Sequence, residues 1–190
     1  LDWWEEELDA MYRGEPRHPA FVALAETVKE FDIPASPFRN LLTAFRQDQT
    51  MTRYPTYEDL LGYCENSANP VGQLVLYLCG YRDAERFALS DKTCTALQLA
   101  NFWQDVSRDL EKERIYLPLE DMERFGYAEP LLWERKFTPE FADLLRFEVE
   151  RTKLLFQEGL ALCGRVERRV RLDRSEEHTS ELQSPCNLVC

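Results

Sequence analysis

Four polar side chains recur at helical spacing in the segment 98–109. Gln98, Asn101, Asp105 and Asp109 are separated by three, four and four residues, so they would lie on one face of a continuous helix. Two carboxylates one helical turn apart repel each other unless a cation lies between them. Mg²⁺ suits such a face because it prefers oxygen ligands and also binds phosphate. The spacing therefore indicates either a magnesium site or an ordinary solvated helix face.

The residues that follow this face carry hydrogen-bond donors suited to phosphate oxygens. Lys112, Arg114 and Tyr116 come shortly after Asp109, and a guanidinium group binds phosphate in a bidentate manner. A separate apolar stripe provides the packing face of the same helix and consists of Leu99, Trp103, Val106 and Leu110. Together, the polar face and the basic, aromatic segment after it predict a binding site for a phosphorylated ligand.

The composition indicates an all-helical globular domain. The chain has 190 residues, of which 44% are hydrophobic and 12% aromatic, and only seven are glycines. Its net charge of −12 argues against nucleic acid as a partner, because nucleic acid requires a basic face. Bound metal ions could still offset the charge of a phosphorylated substrate. No cysteine pair has the C-x-x-C spacing of a zinc site, so we expect the cysteines in helical segments to be reduced.

Localisation follows from the apolar pattern. The sequence has neither the pattern of a signal peptide nor an apolar run long enough to cross a bilayer. We therefore expect a cytoplasmic protein. Peripheral contact with the inner membrane is compatible with this expectation.

Proline, glycine and capping residues divide the chain into helices. The predicted helices span residues 3–12, 19–30, 38–50, 56–80 with a kink at Pro70, 83 or 90 to 110, 119–125, 129–135 and 139–171. A kinked helix opens space, which makes Ser67, Val71 and Gly72 candidate pocket residues, although a plain bend has the same signature. Asp48 ends the third helix and faces either that cavity or solvent.

The end of the chain departs from this helical pattern. The segment 174–190, RSEEHTSELQSPCNLVC, resembles the conceptual translation of a sequencing-library adapter. We therefore expect it to be non-native and assign the domain to residues 1–173. A native disordered tail is the alternative.

Two segments resemble a known family. YCENSANPVG at 63–72 and QLANFWQDVSRDLEKERIYLP at 98–118 are similar to squalene/phytoene synthases, the head-to-head prenyl synthases. Their second aspartate-rich motif has the form N-x-x-x-D-x-x-x-D followed by R-x-Y. The strings ANPVG, FRQD and GEPRHPAFVALAETV most resemble the hydroxysqualene synthase branch of bacterial hopanoid biosynthesis. The resemblance implies an all-α, isoprenoid synthase-type helical bundle that lacks the N-terminal helices.

The resemblance also implies a mechanism and a set of site residues. Mg²⁺ would be the cofactor, and presqualene diphosphate or farnesyl diphosphate the substrate. NADPH would not be needed for the hydroxysqualene reaction. The implied metal ligands are Asn101, Asp105 and Asp109; the implied catalytic residues are Tyr63, Asp105 and Asp109; the implied substrate-binding residues are Asp48, Ser67, Val71, Gly72, Gln98, Arg114 and Tyr116. The family's first aspartate-rich motif is missing, so we expect the chain alone to be inactive.

Two alternatives remain. A presqualene diphosphate or phytoene synthase would carry the same motif and differ in its product. A non-catalytic assembly factor of the same fold would not need magnesium ligands. Because Asn101, Asp105 and Asp109 are all retained, the sequence favours an enzyme.

Overall fold

The structure, a computed structural model, describes residues 1–167 as helices joined by short loops. The helices are α1 (Asp2–Tyr12), α2 (Pro19–Phe31), α3 (Ser36–Gln47), α4 (Tyr57–Ser67), α5 (Asn69–Leu78), α6 (Ala84–Gln104), α7 (Val106–Glu111), α8 (Leu119–Arg124), α9 (Glu129–Trp133), α10 (Pro139–Gly159) and a 3₁₀ helix, Leu160–Gly164. These residues include no β-strand, only an isolated parallel bridge between Arg53 and Ile115. The all-α prediction is confirmed.

Two further expectations concern the ends of the chain and the membrane. The segment 174–190 lies outside the described residues. None of the helices in the described part of the chain combines the length and the apolar composition that a bilayer span requires.

Capping side chains set the start of three helices as the sequence predicts. Thr56 and Asp59 form a reciprocal capping box at α4. The Thr138 hydroxyl accepts a hydrogen bond from the Phe141 N–H at the start of α10. Asp83, and not Ser90, opens α6, because its carboxylate accepts the Arg86 N–H. A side chain that satisfies a free N–H group in the first turn fixes where each helix begins.

Helix α6 is the central element, and it packs against α5 on one side and α10 on the other. Trp103 is buried in the main hydrophobic core, and its indole N–H donates to the Thr152 hydroxyl of α10 at 2.9 Å. A Cβ atom added at Gly72 of α5 would collide with Ser90 Oγ and Cys94 Sγ of α6. These contacts hold α6 rigidly, so the polar residues at its C-terminal end have a fixed position.

The predicted single helix through Leu110 is wrong. Helix α6 ends at Gln104, and Asp105 adopts φ −95° and ψ 12° before α7 begins at Val106. The N–H of Asp105 still bonds to the Asn101 carbonyl, and that of Asp109 to the Asp105 carbonyl, both at 2.8 Å. Asp is a weak helix former, which fits an interruption at this position. The helical repeat therefore continues, but with a bend at Asp105.

Two other predicted boundaries need correction. The kink assigned to Pro70 is a complete break at Ala68, and Pro70 lies in the first turn of α5, where proline is tolerated. The last α-helix ends at Gly159 instead of continuing to about residue 171. Gly159 is buried against the Thr93 backbone of α6, where an added Cβ would meet the Thr93 nitrogen at 3.1 Å.

Candidate active site

A tight turn after α7 brings Asp109 and Arg114 together. The Arg114 N–H donates to the Asp109 carbonyl at 2.9 Å, and the Glu113 N–H donates to the Leu110 carbonyl at 2.9 Å. Glu113 occupies the left-handed region with φ 59°, the position that glycine usually takes in this type of helix ending. The turn reverses the chain and directs Arg114 back toward α3 and α4.

Asp48, at the end of α3, accepts hydrogen bonds from two other segments. The Tyr63 hydroxyl of α4 donates to Asp48 Oδ1 at 2.9 Å. Arg114 Nη2 donates to the Asp48 backbone carbonyl at 2.9 Å, and Arg114 Nη1 lies 3.9 Å from Asp48 Oδ1. Three of the residues predicted for the site are therefore in direct contact.

An aromatic cluster lies beside this group. Tyr116 stacks on Phe102 with ring centroids 3.8 Å apart and an interplanar angle of 7°. Tyr54 stacks on the Tyr116 ring at 5.7 Å, and the Tyr63 ring packs near all three. Burial is the main reason that the pKa of Tyr63 lies far above its ordinary value, so its hydroxyl is a neutral donor at physiological pH.

Asp105 and Asp109 differ in their surroundings. Asp109 is half-buried, and burial together with the nearby negative charge of Asp105 raises its pKa to about 6. The positive charges of Lys112 and Arg114 oppose this rise. Asp105 Oδ1 accepts a hydrogen bond from Arg108 at 3.3 Å, and the Arg108 side chain is 79% exposed. The two carboxylates thus repel each other, and the arginine that pairs with Asp105 is exposed to solvent.

Asp109, Arg114 and Tyr116 line one small pocket together with Phe102 and Val106. Its volume of about 10 Å³ admits roughly one water molecule. A diphosphate is larger than this space. The pocket nevertheless joins an acidic, a basic and a phenolic side chain, which is the donor and acceptor set that a metal-bound diphosphate requires.

The carboxylates at this site fit an Mg²⁺ ion whose other ligands are water and phosphate. Within residues 1–167 no group of three acidic, histidine or cysteine side chains is arranged to enclose a metal ion. Mg²⁺ commonly binds through one or two carboxylates and completes its shell with water and substrate phosphate. The repelling pair Asp105 and Asp109 suits that arrangement, whereas a cage built from protein ligands alone does not fit the described residues.

The remaining predicted residues differ in their exposure to solvent. Asn101 is exposed and Gln98 is half-buried, both on α6. Among the described residues, the Ser67 hydroxyl at the end of α4 is buried without a hydrogen-bond partner, whereas Val71 of α5 is 51% exposed. Gly72 lies in the contact between α5 and α6, so its small size serves helix packing whether or not a ligand also reaches it.

Sequence reasoning missed two residues that frame the site. Tyr54 is 1% exposed and stacks on Tyr116, and Arg53 binds the backbone of the turn after α7. Both lie in the loop between α3 and α4, which has no helical periodicity. The only available signal was a large aromatic residue next to an arginine in a loop, where hydrophobic residues are less common.

The family model for squalene/phytoene synthase matches residues 1–174. The chain is 33% identical over 181 residues to the phytoene synthase of Arthrospira platensis and 34% identical over 171 residues to the 15-cis-phytoene synthase of a Synechocystis strain. These alignments cover 85% and 84% of this chain. The chain spans 57% and 51% of the length of those relatives.

Solved structures agree with the sequence relatives. The squalene synthase HpnC from Alicyclobacillus acidocaldarius superimposes with a TM-score of 0.90 at 43% identity, covering 98% of this chain and 70% of that one. A dehydrosqualene synthase solved with a ligand superimposes with a TM-score of 0.80 at 30% identity, covering 86% and 58%. These similarities confirm the expected isoprenoid synthase-type helical fold. The chain belongs to the squalene/phytoene synthase family.

Proposed function

We propose that this chain is part of a synthase that performs Mg²⁺-dependent prenyl diphosphate chemistry of the hopanoid branch, converting presqualene diphosphate to hydroxysqualene. The observation that carries the proposal is the grouping of Asp109, Arg114 and Tyr116, in which Arg114 contacts both the Asp109 carbonyl and the Tyr116 hydroxyl. The 43% identity to squalene synthase HpnC favours this branch. The phytoene synthases, at 33% and 34% identity, support the same reaction class with another substrate.

Each site residue has a role in this proposal. Asp105 and Asp109, with Asn101 beside them, would hold Mg²⁺ through carboxylate and amide oxygens. Bound Mg²⁺ supplies Lewis-acid stabilisation of the charge that develops on a leaving diphosphate. Arg114 and Tyr116 donate hydrogen bonds to the phosphate oxygens and orient the leaving group.

Tyr63 and Asp48 form a second group, which contacts Arg114 through Asp48. Because the pKa of Tyr63 is raised mainly by burial, its phenol remains a neutral donor. Asp48 accepts the Tyr63 hydroxyl at 2.9 Å and thereby fixes its orientation. We assign Tyr63 a catalytic role beside the diphosphate and Asp48 a role in holding Tyr63 and Arg114.

The proposed reaction balances without a reductant. The bond between the first carbon of presqualene and the diphosphate oxygen breaks, and its electron pair leaves with diphosphate. The carbocation rearranges, a water oxygen bonds to it, and that water loses a proton to solvent. No hydride enters the product, so NADPH is not needed. Apolar and aromatic walls around such a cation limit early attack by water.

A hybrid protein tests this proposal. This chain would replace the corresponding region of the Alicyclobacillus HpnC, and the hybrid would receive presqualene diphosphate and Mg²⁺ without NADPH. We expect hydroxysqualene as the product by mass spectrometry. The unmodified Alicyclobacillus protein controls for substrate quality and folding.

The alternatives are separated by giving the same hybrid farnesyl diphosphate or geranylgeranyl diphosphate in place of presqualene diphosphate. Accumulation of presqualene diphosphate from farnesyl diphosphate, or phytoene from geranylgeranyl diphosphate, would assign the chain to another synthase of the family. A folded hybrid with no turnover, together with a chain that binds no diphosphate, would favour a non-catalytic assembly factor of the same fold.

A further inference from the structure

Arg53 links the loop before α4 to the turn after α7. Its Nη1 atom donates to the Glu113 carbonyl at 2.6 Å and to the Thr52 carbonyl at 2.8 Å. The Ile115 N–H donates to the same Thr52 carbonyl at 3.0 Å, within the isolated bridge between Arg53 and Ile115. Arg114 is therefore held on both sides, by the carbonyl before it and by the amide after it.

The held peptide has an unfavourable backbone geometry. Glu113 has φ 59°. Residues other than glycine, asparagine and aspartate rarely adopt this conformation. A charge-assisted hydrogen bond to the Glu113 carbonyl stabilises the orientation of the peptide that precedes Arg114. The direction in which Arg114 extends toward the Asp48 carbonyl thus depends on a strained turn and on the arginine that holds it.

Glu129 of α9 fixes Arg53 in turn. Glu129 Oε1 accepts hydrogen bonds from Arg53 Nη2 at 2.8 Å and from Nε at 3.2 Å. The Trp133 indole N–H donates to the same oxygen at 3.0 Å, and the Arg53 guanidinium lies 5.8 Å from the Trp133 ring centre. The hydrogen bond from Arg53 is the main reason that the pKa of Glu129 is lowered, so Glu129 is ionised at neutral pH.

We propose that Arg53, held by Glu129, is a positioning residue that sets Arg114 and Tyr116 for diphosphate binding. All three nitrogen positions of its guanidinium donate to protein oxygens, so Arg53 acts through the turn and not as a phosphate ligand. This inference rests on the proposed function, because it assigns the turn a role in binding the same diphosphate.

A matched arginine elsewhere separates positioning from general stabilisation. Arg86 at the start of α6 also pairs with a carboxylate, that of Asp83, at 2.6 Å. It donates to the Arg165 carbonyl at 2.7 Å and lies 4.6 Å from the Tyr81 ring centre. Arg86 therefore makes the same three kinds of contact as Arg53, but it contacts none of the candidate site residues.

Calorimetric titration of the 190-residue chain with inorganic pyrophosphate and Mg²⁺ tests the inference. We expect Arg53→Gln to weaken pyrophosphate binding about tenfold, equivalent to about 1.4 kcal/mol, and Arg86→Gln to leave the affinity within about twofold of wild type. Adding Glu113→Gly to Arg53→Gln should restore most of the affinity, because glycine adopts a positive φ without strain. Glu129→Gln should weaken binding in the same direction and serves if Arg53→Gln does not fold.

The outcomes are distinct. Wild-type affinity in both Arg53→Gln and Glu129→Gln would overturn the positioning role while leaving the proposed function intact. An equal loss in Arg86→Gln would also overturn it, since the effect would then follow general destabilisation. Failure of the wild-type chain to bind Mg²⁺ and pyrophosphate would overturn the proposed function and the inference with it.

Discussion

The Tyr63 hydroxyl donates a 2.9 Å hydrogen bond to the Asp48 carboxylate. This contact joins α4 to the end of α3, and Arg114 reaches the same aspartate from the turn after α7. Three segments that are distant in the sequence therefore meet at Asp48. The site can form only when the loop between α3 and α4 and the turn after α7 are both in place.

Removing the Tyr63 hydroxyl should destabilise the fold. Tyr63→Phe deletes a hydrogen bond to a charged acceptor in a half-buried setting, and we expect a loss of about 1.5–3 kcal/mol in the free energy of unfolding. Urea denaturation followed by circular dichroism provides the measurement. Tyr127→Phe is a matched control, because the Tyr127 hydroxyl donates to the neutral backbone carbonyl of Lys136 at 3.1 Å. For this control we expect a loss of about 0.5–1.5 kcal/mol in the free energy of unfolding. A smaller loss for Tyr63 than for Tyr127 would contradict the assigned strength of the Asp48 contact.

Relieving the strained turn should stabilise the protein. Glu113→Gly removes the Cβ atom at a position with φ 59°, and we expect a gain of about 1 kcal/mol in unfolding free energy. Thermal denaturation measures the change. The same substitution at Glu150, an exposed residue within α10, should instead lower stability by about 1 kcal/mol. Destabilisation by Glu113→Gly would show that the turn is not strained at this residue.

Two glycines should respond in opposite ways to alanine. At Gly72 an added Cβ would collide with Ser90 and Cys94, so we expect Gly72→Ala to lower stability by about 1–3 kcal/mol. At Gly62, within α4, no atom lies within 4 Å of the added Cβ, so Gly62→Ala should raise stability by about 0.5–1 kcal/mol. Equal effects in chemical denaturation would contradict the close contact between α5 and α6.

A buried acid on α10 should make stability depend on pH. Glu148 is fully buried, and burial raises its pKa to about 8, with the nearby Asp121 adding to the rise and Arg151 opposing it. Arg151 donates to Glu148 Oε2 at 2.7 Å and to Asp121 Oδ2 at 2.6 Å, and its guanidinium packs on the Tyr57 ring. Between pH 4.5 and about 8, Glu148 is therefore protonated in the folded state and ionised in the unfolded chain.

The sign of the effect follows from this difference. Between the ordinary pKa of glutamate, near 4.5, and about 8, the folded state binds more protons than the unfolded state, so rising pH lowers stability by up to about 1.4 kcal/mol per pH unit. Glu148→Gln removes the titrating group, so the variant should lose this part of the pH dependence of stability. Unfolding free energies measured from pH 5 to pH 9 for both proteins provide the comparison. Parallel curves would rule out a raised pKa at Glu148.

The helical fold was predictable because its signals are local. The caps at Thr56 and Thr138 and the proline at 139 are read from a few neighbouring residues, and the structure uses all of them. Pro70, in contrast, was expected to kink one helix and lies in the first turn of a new one. The break at Asp105 was not predictable from spacing, because the 3, 4, 4 pattern is the same for a straight helix and for a bent one.

The site was predictable only in part. Asp109, Arg114 and Tyr116 were singled out because they are close in sequence, whereas the contacts of Arg114 with Asp48 and of Tyr116 with Tyr63 were not predicted. Arg53 escaped prediction because its partners, Glu113 and Glu129, are 60 and 76 residues away. Long-range ion pairs of this kind leave no periodic trace in a sequence.

The central claim is that Asp105 and Asp109 hold Mg²⁺ against a diphosphate. Calorimetric titration of pyrophosphate into the chain, with and without Mg²⁺, tests it most directly, using Asp105→Asn, Asp109→Asn and Asp143→Asn. Asp143 is the matched control, because it also pairs with an exposed arginine three residues later. We predict Mg²⁺-dependent binding that either site substitution weakens at least about tenfold and that Asp143→Asn leaves unchanged. Binding that does not depend on Mg²⁺, or that survives both site substitutions, would contradict the claim.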